Sequence, residues 1–344
     1  MPHAKTTPFA MPLPEALAHV DRVFGVDSIL ADEGQDIVAP YYVQSEPGYK
    51  RVHSEKGCMH MALNPDGVYS ADGYFTQIRD VAYQIRQVQA KRVLELGSGM
   101  GFNSITLAPD HATVQFTGLD LMAHHVKTAS KDAAQLPNAS FRQGSYADIP
   151  AELHGADVVF GLETLCYATD LDAVAAQIAA AMAPGGRFVM YDGFRRADFD
   201  AAPPDVQTAA RFVMYDGFRR ADFDAAPPDV QTAARLFEVT TAVTGGFHTI
   251  DAWDAALTRA GLVVLRREDL TDQSIAGMRY LHNRAAKFFH SWKYRVLKHV
   301  MPKYLIRNAV AGLVGPYMIE GAGPNSGDTM GAITYSVLMA EKPR

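Results

Sequence analysis

Residues Val93 to Gly101 read VLELGSGMG and carry the strongest structural signal in this chain of 344 residues. The apolar first half is typical of a buried strand, and the glycines that follow predict a tight turn into a helix. Glycine suits such a turn because it adopts unusual backbone angles and lets the backbone approach a ligand closely. The spacing Gly97-x-Gly99-x-Gly101 therefore predicts a nucleotide-binding turn after a central strand.

Two residues near this turn distinguish between nucleotide cofactors. Phe102 stands where a dinucleotide-binding fingerprint would have its third glycine. Glu95 lies two residues before the first glycine, where a carboxylate can accept a hydrogen bond from a ligand ammonium group. A turn that binds pyrophosphate would not favour an acid at that place. The pair favours S-adenosylmethionine (SAM) over NAD.

Composition limits the class of protein. Hydrophobic residues make up 48% of the chain, which predicts a folded core, and the net charge of −6 provides no basic surface for nucleic acid. Two cysteines, Cys58 and Cys166, are too few for a disulfide framework or a zinc site, so no metal site is expected. The chain shows no evident signal peptide and no apolar run of ~20 residues, so we expect a cytoplasmic protein.

From Lys91 onward, strand-like and helix-like segments alternate, which predicts a doubly wound parallel α/β sheet. We divide the chain into an N-terminal helical, substrate-closing segment (1–88), a SAM-binding Rossmann-like domain (89–270), a helical cap insertion (271–330) and a final strand (331–344). The predicted strands are 93–97, 114–120, 156–162, 186–192, 262–268 and 333–341, with a further strand expected before residue 148, and the clearest predicted helices are 171–182 and 251–261.

A sequence of 24 residues occurs twice without change, at 187–210 and at 211–234. Two identical copies are not typical of a solenoid, which needs at least three stackable units. Only one copy of FVMYDGF fits a single strand position, and the sequence does not say which. We interpret the repeat as a tandem duplication without a functional role.

Acidic residues after the next two predicted strands complete a candidate cofactor site, because ligands of open α/β sheets bind beyond the carboxyl ends of the strands. Asp120 ends the second strand, where a carboxylate can accept both ribose hydroxyls, and Leu121 follows it. Asp148 follows the expected third strand and is placed to accept the adenine amino group, with Tyr146 and Ile149 beside the ring.

The region from about 90 to 195 resembles the class I SAM-dependent methyltransferases, through Glu95, the three glycines, Asp120 and Asp148. The resemblance implies a Rossmann-like sheet of seven strands with the last strand antiparallel. The segment ITYSVLMAE (333–341) fits that closing strand. The resemblance also implies SAM as the cofactor and methyl transfer as the reaction.

The run DVVFGLETLCYATD (157–170) ends the fourth predicted strand, where this family meets its substrate. It resembles the acidic motif of the sterol and prenyl diphosphate C-methyltransferases, through Glu163, Thr164, Cys166 and Tyr167. More weakly, SEKGCMHMAL (54–63) resembles the His-containing segment of those enzymes and of tocopherol methyltransferases. The resemblance implies C-methylation of an alkene in a hydrophobic isoprenoid or lipid.

Methylation of an alkene leaves a carbocation that the enzyme must shield from water, stabilise with aromatic faces and deprotonate. Glu163 is the candidate base or cation stabiliser, and His60 and Tyr167 are further catalytic candidates. The candidate substrate contacts are Tyr42, Cys166, Trp292 and Arg284, and further candidates for aromatic walls are Tyr41, Tyr69, Phe288 and Phe289.

The stretch 278–308 interleaves basic and aromatic residues, and three interpretations of it stay open. It fits an amphipathic helical pair with solvated charges, a helix at a membrane surface, or a pocket for an anionic head group such as diphosphate. A need for Mg²⁺ and a homodimer stay open as well, because no acidic pair typical of diphosphate–metal binding stands out.

Other functions also remain open. The same fold could methylate O, N or S of another small molecule, with a histidine as base. It could form cyclopropanes in lipids, an activity weakly suggested by VYSADGYF (68–75). A silent SAM- or lipid-binding subunit is the alternative without catalysis, and Glu95, Asp120 and Glu163 argue against it.

Overall fold

The computed structural model describes residues 9–49, 53–54, 57–195, 228–320 and 333–344. Its centre is a seven-stranded sheet with the strand order β3-β2-β1-β4-β5-β7-β6. The strands are β1 (Arg92–Leu96), β2 (Gln115–Asp120), β3 (Ala139–Gln143), β4 (Ala156–Leu162), β5 (Met182–Arg195), β6 (Val263–Asp269) and β7 (Ile333–Glu341).

The directions of the strands confirm the predicted fold class. Strands β1 to β5 pair in parallel, whereas β7 lies between β5 and β6 and is antiparallel to both. Strands β4 and β7 begin and end at the predicted residues, while β5 is longer than predicted at both ends. The result is a Rossmann-like sheet closed by an antiparallel last strand.

Helices cover both faces of this sheet. Alternate residues of a strand point to opposite faces, so Val93 and Phe160 join one core whereas Leu94 and Val159 join the other. The helices are α1 (Leu13–Phe24), α2 (Val26–Leu30), α3 (Val38–Gly48), α4 (Thr76–Gln87), α5 (Phe102–Leu107), α6 (Ala123–Asp132), α7 (Leu171–Ala181), α8 (Pro228–Thr240), α9 (Ile250–Arg259), α10 (Thr271–His290), α11 (Tyr294–Val300) and α12 (Lys303–Glu320).

A third core joins the N-terminal helices to the helices of the predicted cap. Val20 of α1, Leu236 of α8, Phe289 of α10 and Val314 of α12 are buried together there. Helices of both segments therefore pack on one another. In the described part of the chain, none of the helices is long and apolar enough to cross a membrane.

The two copies of the repeat take different places. Residues 187–195 of the first copy form most of β5, and β7 pairs with them from Glu341 to Ile333. Residues 228–234 of the second copy form the start of α8. The second FVMYDGF, at 212–218, lies outside the described residues. The first copy thus occupies the strand position that the sequence left open.

We predict that deletion of 24 residues from the repeat leaves the fold intact. The segment 196–227 between β5 and α8 has 32 residues, of which the deletion leaves eight, and both flanking elements keep their sequences. Eight residues lie close to the usual length of such connections. Thermal unfolding and circular dichroism of the shortened chain should match those of the full chain. Insoluble or unfolded protein would contradict this prediction.

Candidate cofactor and catalytic site

The glycine turn after β1 lies against the end of β4. Gly97, Gly99 and Gly101 have φ angles of +64°, +51° and +86°, which are costly for residues with a Cβ atom. A Cβ atom at Gly97 would stand 1.9 Å from Oγ1 of Thr164. Both the backbone angles and this close approach therefore require glycine at position 97.

Asp120 holds the turn in place from the end of β2. Its Oδ2 accepts a hydrogen bond from the amide of Gly99 at 2.7 Å, and its Oδ1 accepts one from the amide of Met122 at 2.8 Å. Nδ1 of His125 lies 3.2 Å from the same Oδ1. The carboxylate predicted to bind the ribose is therefore buried and fixed beside the turn.

Glu95 lies beneath the turn and braces the helix that follows it. Its carboxylate accepts hydrogen bonds from Nδ2 of Asn103 at 2.8 Å and from the amide and hydroxyl of Ser104. Burial raises the pKa of Glu95 to about 7. These bonds fix the start of α5, a role that the sequence analysis missed. The predicted contact with a ligand ammonium group stays a prediction.

The outer edge of the candidate site carries the residues expected near adenine. Leu121 is 57% exposed beside Asp120, and Asp148 is exposed after β3, whereas Ile149 is buried. The Nε2 group of Gln143 donates to the carbonyl of Leu121 at 3.2 Å and joins the two loops. Leu121 and Asp148 are thus accessible to a ligand at the carboxyl edge of the sheet.

Glu163 follows β4 in a strained conformation. Its φ angle is +51°, which is uncommon for a residue with a Cβ atom and occurs often at functional sites. Its Oε1 accepts hydrogen bonds from the amide of Met61 at 2.6 Å and from the hydroxyl of Tyr335 at 2.7 Å. Among the described residues, no group donates a hydrogen bond to Oε2. One carboxylate oxygen is therefore held, and the other is available.

A second acid, Asp192 of β5, lies close enough to influence Glu163. Asp192 is 1% exposed and accepts hydrogen bonds from the amides of Cys166 and Gly193, at 3.0 and 2.9 Å. Burial raises the pKa of Asp192 to about 7. Burial, followed by the charge of Asp192, raises the pKa of Glu163 to about 8.

The sequence analysis missed Asp192. An acid inside the apolar run FVMYDGF was the available signal, but the run occurs twice, and only one copy enters the sheet. Cys166, a predicted substrate contact, is itself buried beside Asp192. Burial raises the pKa of the Cys166 thiol well above its usual range, so the thiol stays protonated.

Tyrosines from α3 and from the segment after β4 form one side of the site. The hydroxyls of Tyr42 and Tyr167 are 2.8 Å apart, and the hydroxyl of Tyr167 donates to the carbonyl of Thr241 at 3.0 Å. The hydroxyls of Tyr41 and Tyr49 are 2.9 Å apart in the same cluster. The structure therefore brings Tyr42 and Tyr167 together, and their roles as substrate contact, catalytic residue and aromatic wall stay predictions.

Both ring nitrogens of His60 lie close to oxygen atoms, and the neutral ring donates a hydrogen bond from one of them. Nε2 lies 3.0 Å from Oδ1 of Asn103, and Nδ1 lies 3.2 Å from the carbonyl of Met61. Burial lowers the pKa of His60 to about 4, so the ring is neutral at physiological pH. Because Asn103 also donates to Glu95, this chain of hydrogen bonds joins the segment 57–63 to the glycine turn.

Two predicted substrate contacts lie elsewhere in the structure. Trp292 is 70% exposed between α10 and α11. Arg284 is exposed on α10 and donates to the hydroxyl of Tyr280, whose ring stacks on Tyr69. The structure does not bring either residue to the buried acids, so their contact with substrate stays a prediction.

Comparison with known proteins shows which proteins this site resembles. Residues 87–234 match the family model described as a methyltransferase domain. This part of the chain, which is less than half of its length, is therefore similar to a methyltransferase domain. The match includes the glycine turn, Asp120, Glu163 and Asp192.

The chain is similar to a sterol methyltransferase-like protein of Botryococcus braunii, with 30% identity over 112 residues. That segment is 32% of this chain and 28% of the relative's length. The fold resembles a mycolic acid cyclopropane synthase (TM-score 0.63, 14% identity, 89% of this chain and 97% of that one). It also resembles the geranyl diphosphate C-methyltransferase of Streptomyces coelicolor (TM-score 0.53, 13% identity, 90% and 97%).

The residues of the turn fit SAM. A Cβ atom at Gly99 would lie 2.9 Å from Sδ of Met59. Glycine therefore lets the Met59 side chain lie directly against the backbone of the turn. Asp120 is fixed where the ribose is predicted to bind, and Leu121 and Asp148 are exposed where adenine is predicted to bind. These residues would hold SAM along the carboxyl edge of β1, β2 and β3.

We predict that Asp120→Ala weakens SAM binding by about 10- to 100-fold, the effect of removing hydrogen bonds to a charged group. Isothermal titration calorimetry measures the affinity. Asp157→Ala is the matched control, because Asp157 accepts the amides of Lys91 and Arg92 at the opposite end of β1, at 2.7 and 2.9 Å. Unchanged affinity in Asp120→Ala, or an equal loss in both variants, would contradict the ribose assignment.

Proposed function

We propose that the protein transfers a methyl group from SAM to an alkene carbon of a hydrophobic isoprenoid or lipid, with Glu163 as the base or cation stabiliser. The observation that carries this proposal is the partly buried carboxylate of Glu163, which two donors fix at one oxygen. Similarity to a sterol methyltransferase-like protein supports the substrate class.

The charges of the site suit a reaction that creates positive charge. When bound, SAM supplies an electrophilic methyl group. As the alkene electron pair forms the new C–C bond, the C–S bond breaks and the substrate becomes a carbocation. Glu163 and Asp192 provide negative charge near that cation, and loss of a proton from an adjacent carbon to Glu163 restores a double bond. The departing methyl donor keeps the electron pair of the C–S bond.

The proton affinity of Glu163 is matched to this role. A general base works best when its pKa lies near the operating pH, and burial raises the pKa of Glu163 to about 8. A cation beside a carboxyl group favours its charged form. The pKa of Glu163 should therefore fall when positive charge develops on the substrate, so that the carboxylate form is favoured. Its free Oε2 is the oxygen that would take the proton.

The surrounding residues limit access of water. Met61 binds Glu163 through its amide, and the same segment covers the glycine turn through Met59. Tyr42 and Tyr167 add aromatic surface from the other side. Exclusion of water protects a carbocation from capture, and aromatic faces stabilise it.

The geometry favours Glu163 over His60 as the proton acceptor. Both ring nitrogens of His60 face acceptors, and the pKa of His60 is lowered to about 4 by burial. If His60 acted as the base for methyl transfer to O, N or S, one of its ring nitrogens would first have to leave its contact with Asn103 or Met61. We therefore assign His60 a positioning role between the segment 57–63 and the turn.

We expect Glu163→Gln to keep its affinity for SAM and to lose turnover by at least about 100-fold, as is typical for removal of a general base. Glutamine keeps an oxygen for the bonds from Met61 and Tyr335, so the fold should persist. Turnover is measured with methyl-labelled SAM and a panel of prenyl diphosphates, sterols and unsaturated lipids.

Tyr335→Phe is the matched variant for this experiment, since it removes one donor to Glu163 but leaves the acid. It should lower turnover less than Glu163→Gln. Label bound to carbon in the product supports the proposal. Label found only on heteroatoms, or normal turnover in Glu163→Gln, would contradict it.

The pH dependence supplies an independent test. Because the carboxyl pKa of Glu163 is raised to about 8, the active carboxylate accumulates as the pH rises. We expect kcat/KM for SAM to rise about tenfold per unit below that pKa and to level off above it. Asp192→Asn removes the neighbouring charge and should shift this rise to lower pH. An unchanged pH profile in Asp192→Asn would contradict an effect of the Asp192 charge on the pKa of Glu163.

A further inference from the structure

Helix α3 and the start of α6 meet beside Asp120 and bring three metal-ligating side chains together. Glu46 comes from α3, and His124 and His125 come from α6. One ligand atom of each lies within 4.8 Å of the other two, and Nε2 of His124 is 3.5 Å from Oε2 of Glu46. The imidazole rings of the two histidines have centroids 4.3 Å apart.

A second, independent observation concerns the Nε2 atoms of both histidines. Nε2 of His124 and Nε2 of His125 are buried, and neither has a hydrogen-bond partner among the described residues. The side chain of His125 is only 2% exposed. A buried ring nitrogen without a partner is costly, and a metal ion is one of the groups that satisfies it.

Asp120 prepares His125 to act as a ligand. Its Oδ1 lies 3.2 Å from Nδ1 of His125, so this nitrogen carries the hydrogen and Nε2 presents its lone pair. A carboxylate behind a metal-binding histidine fixes the ring and raises its basicity. Here the carboxylate belongs to the residue assigned to the ribose of SAM.

We propose that Glu46, His124 and His125 bind one divalent transition-metal ion of the Zn²⁺ class. Two imidazole nitrogens and one carboxylate oxygen form a typical three-residue set for zinc, with bonds of ~2.0–2.1 Å. In the structure, one ligand atom of each residue already lies within 4.8 Å of the other two. The sequence analysis expected no metal site because the chain has only two cysteines. It did not connect Glu46 with the histidines, which lie far from it in the sequence.

This site would connect the N-terminal segment to the cofactor site. The ion would tie α3, which carries Tyr42, to α6, and it would strengthen the bond from His125 to Asp120. The site goes beyond the proposed function, since metal binding is measured without SAM or a methyl acceptor. A failure of one proposal therefore leaves the other unaffected.

A second histidine–carboxylate group provides the matched control. Glu15, His19 and His290 also place three ligand atoms within 4.8 Å, but Glu15 and His290 are exposed. Among the described residues, no second acid like Asp120 contacts these histidines. Their ring nitrogens also do not belong to the buried atoms that lack a hydrogen-bond partner. This group carries no proposal.

The test is titration of the metal-free whole protein with Zn²⁺ against a chromophoric chelator, followed by Co²⁺ absorption spectra. We expect one tightly bound ion per chain, with visible bands for Co²⁺ bound to nitrogen and oxygen. Glu46→Gln and His124→Asn should each weaken binding by about 10- to 100-fold, the usual effect of losing a ligand or its support. His290→Asn should leave it unchanged.

Circular dichroism of each variant shows whether the protein remains folded. Binding that is absent from the wild-type protein, or that survives both Glu46→Gln and His124→Asn, would overturn the proposal. Loss of binding in His290→Asn alone would assign the ion to the other group, which would also overturn it. A hydrogen bond between His124 and Glu46 only, with no ion, is the remaining contrary outcome.

Discussion

The close approach of Gly97 to Thr164 is the constraint on which the rest of the site depends. A Cβ atom at position 97 would stand 1.9 Å from Oγ1 of Thr164, so the turn after β1 lies directly against the end of β4. The turn carries the residues predicted to bind the cofactor, and the end of β4 carries Glu163 in its left-handed conformation. The contact therefore sets the position of Glu163 relative to the glycine turn.

Around this contact the protein buries three carboxyl groups that have no salt bridge to a cation among the described residues. Glu95, Glu163 and Asp192 all have a raised pKa, and in each the largest cause is burial. Backbone amides and hydroxyls hold these carboxyls in place. Because a raised carboxyl pKa favours the protonated form, their contribution to stability is full below pH ~4 and is lost as the pH rises towards 8. A nearby positive charge would lower these pKa values and favour the charged carboxylates.

The features that could be predicted from the sequence are those that depend on a local pattern of residues. Alternating apolar residues located the strands, and Asp120 and Glu163 were identified because each ends a strand. Contacts between distant segments were not predictable: Met61 and Tyr335 meet at Glu163, and Glu46 meets His124 across two helices. The composition of 278–308 could not show which side chains face outward. Asp192 was hidden because its strand sequence occurs twice.

The most direct measurement is a ¹³C NMR titration of the Glu163 carboxyl in the whole protein, assigned by its loss in Glu163→Gln. A buried acid at the end of β4 should titrate with a midpoint of about 8 in the free protein. The midpoint should fall when SAM binds, because SAM carries a positive sulfonium group. It should fall less with the demethylated product, S-adenosylhomocysteine, which lacks the sulfonium charge. A midpoint near the ordinary value of 4.5, unaffected by SAM, would contradict the central claim that Glu163 is a buried acid placed to meet positive charge.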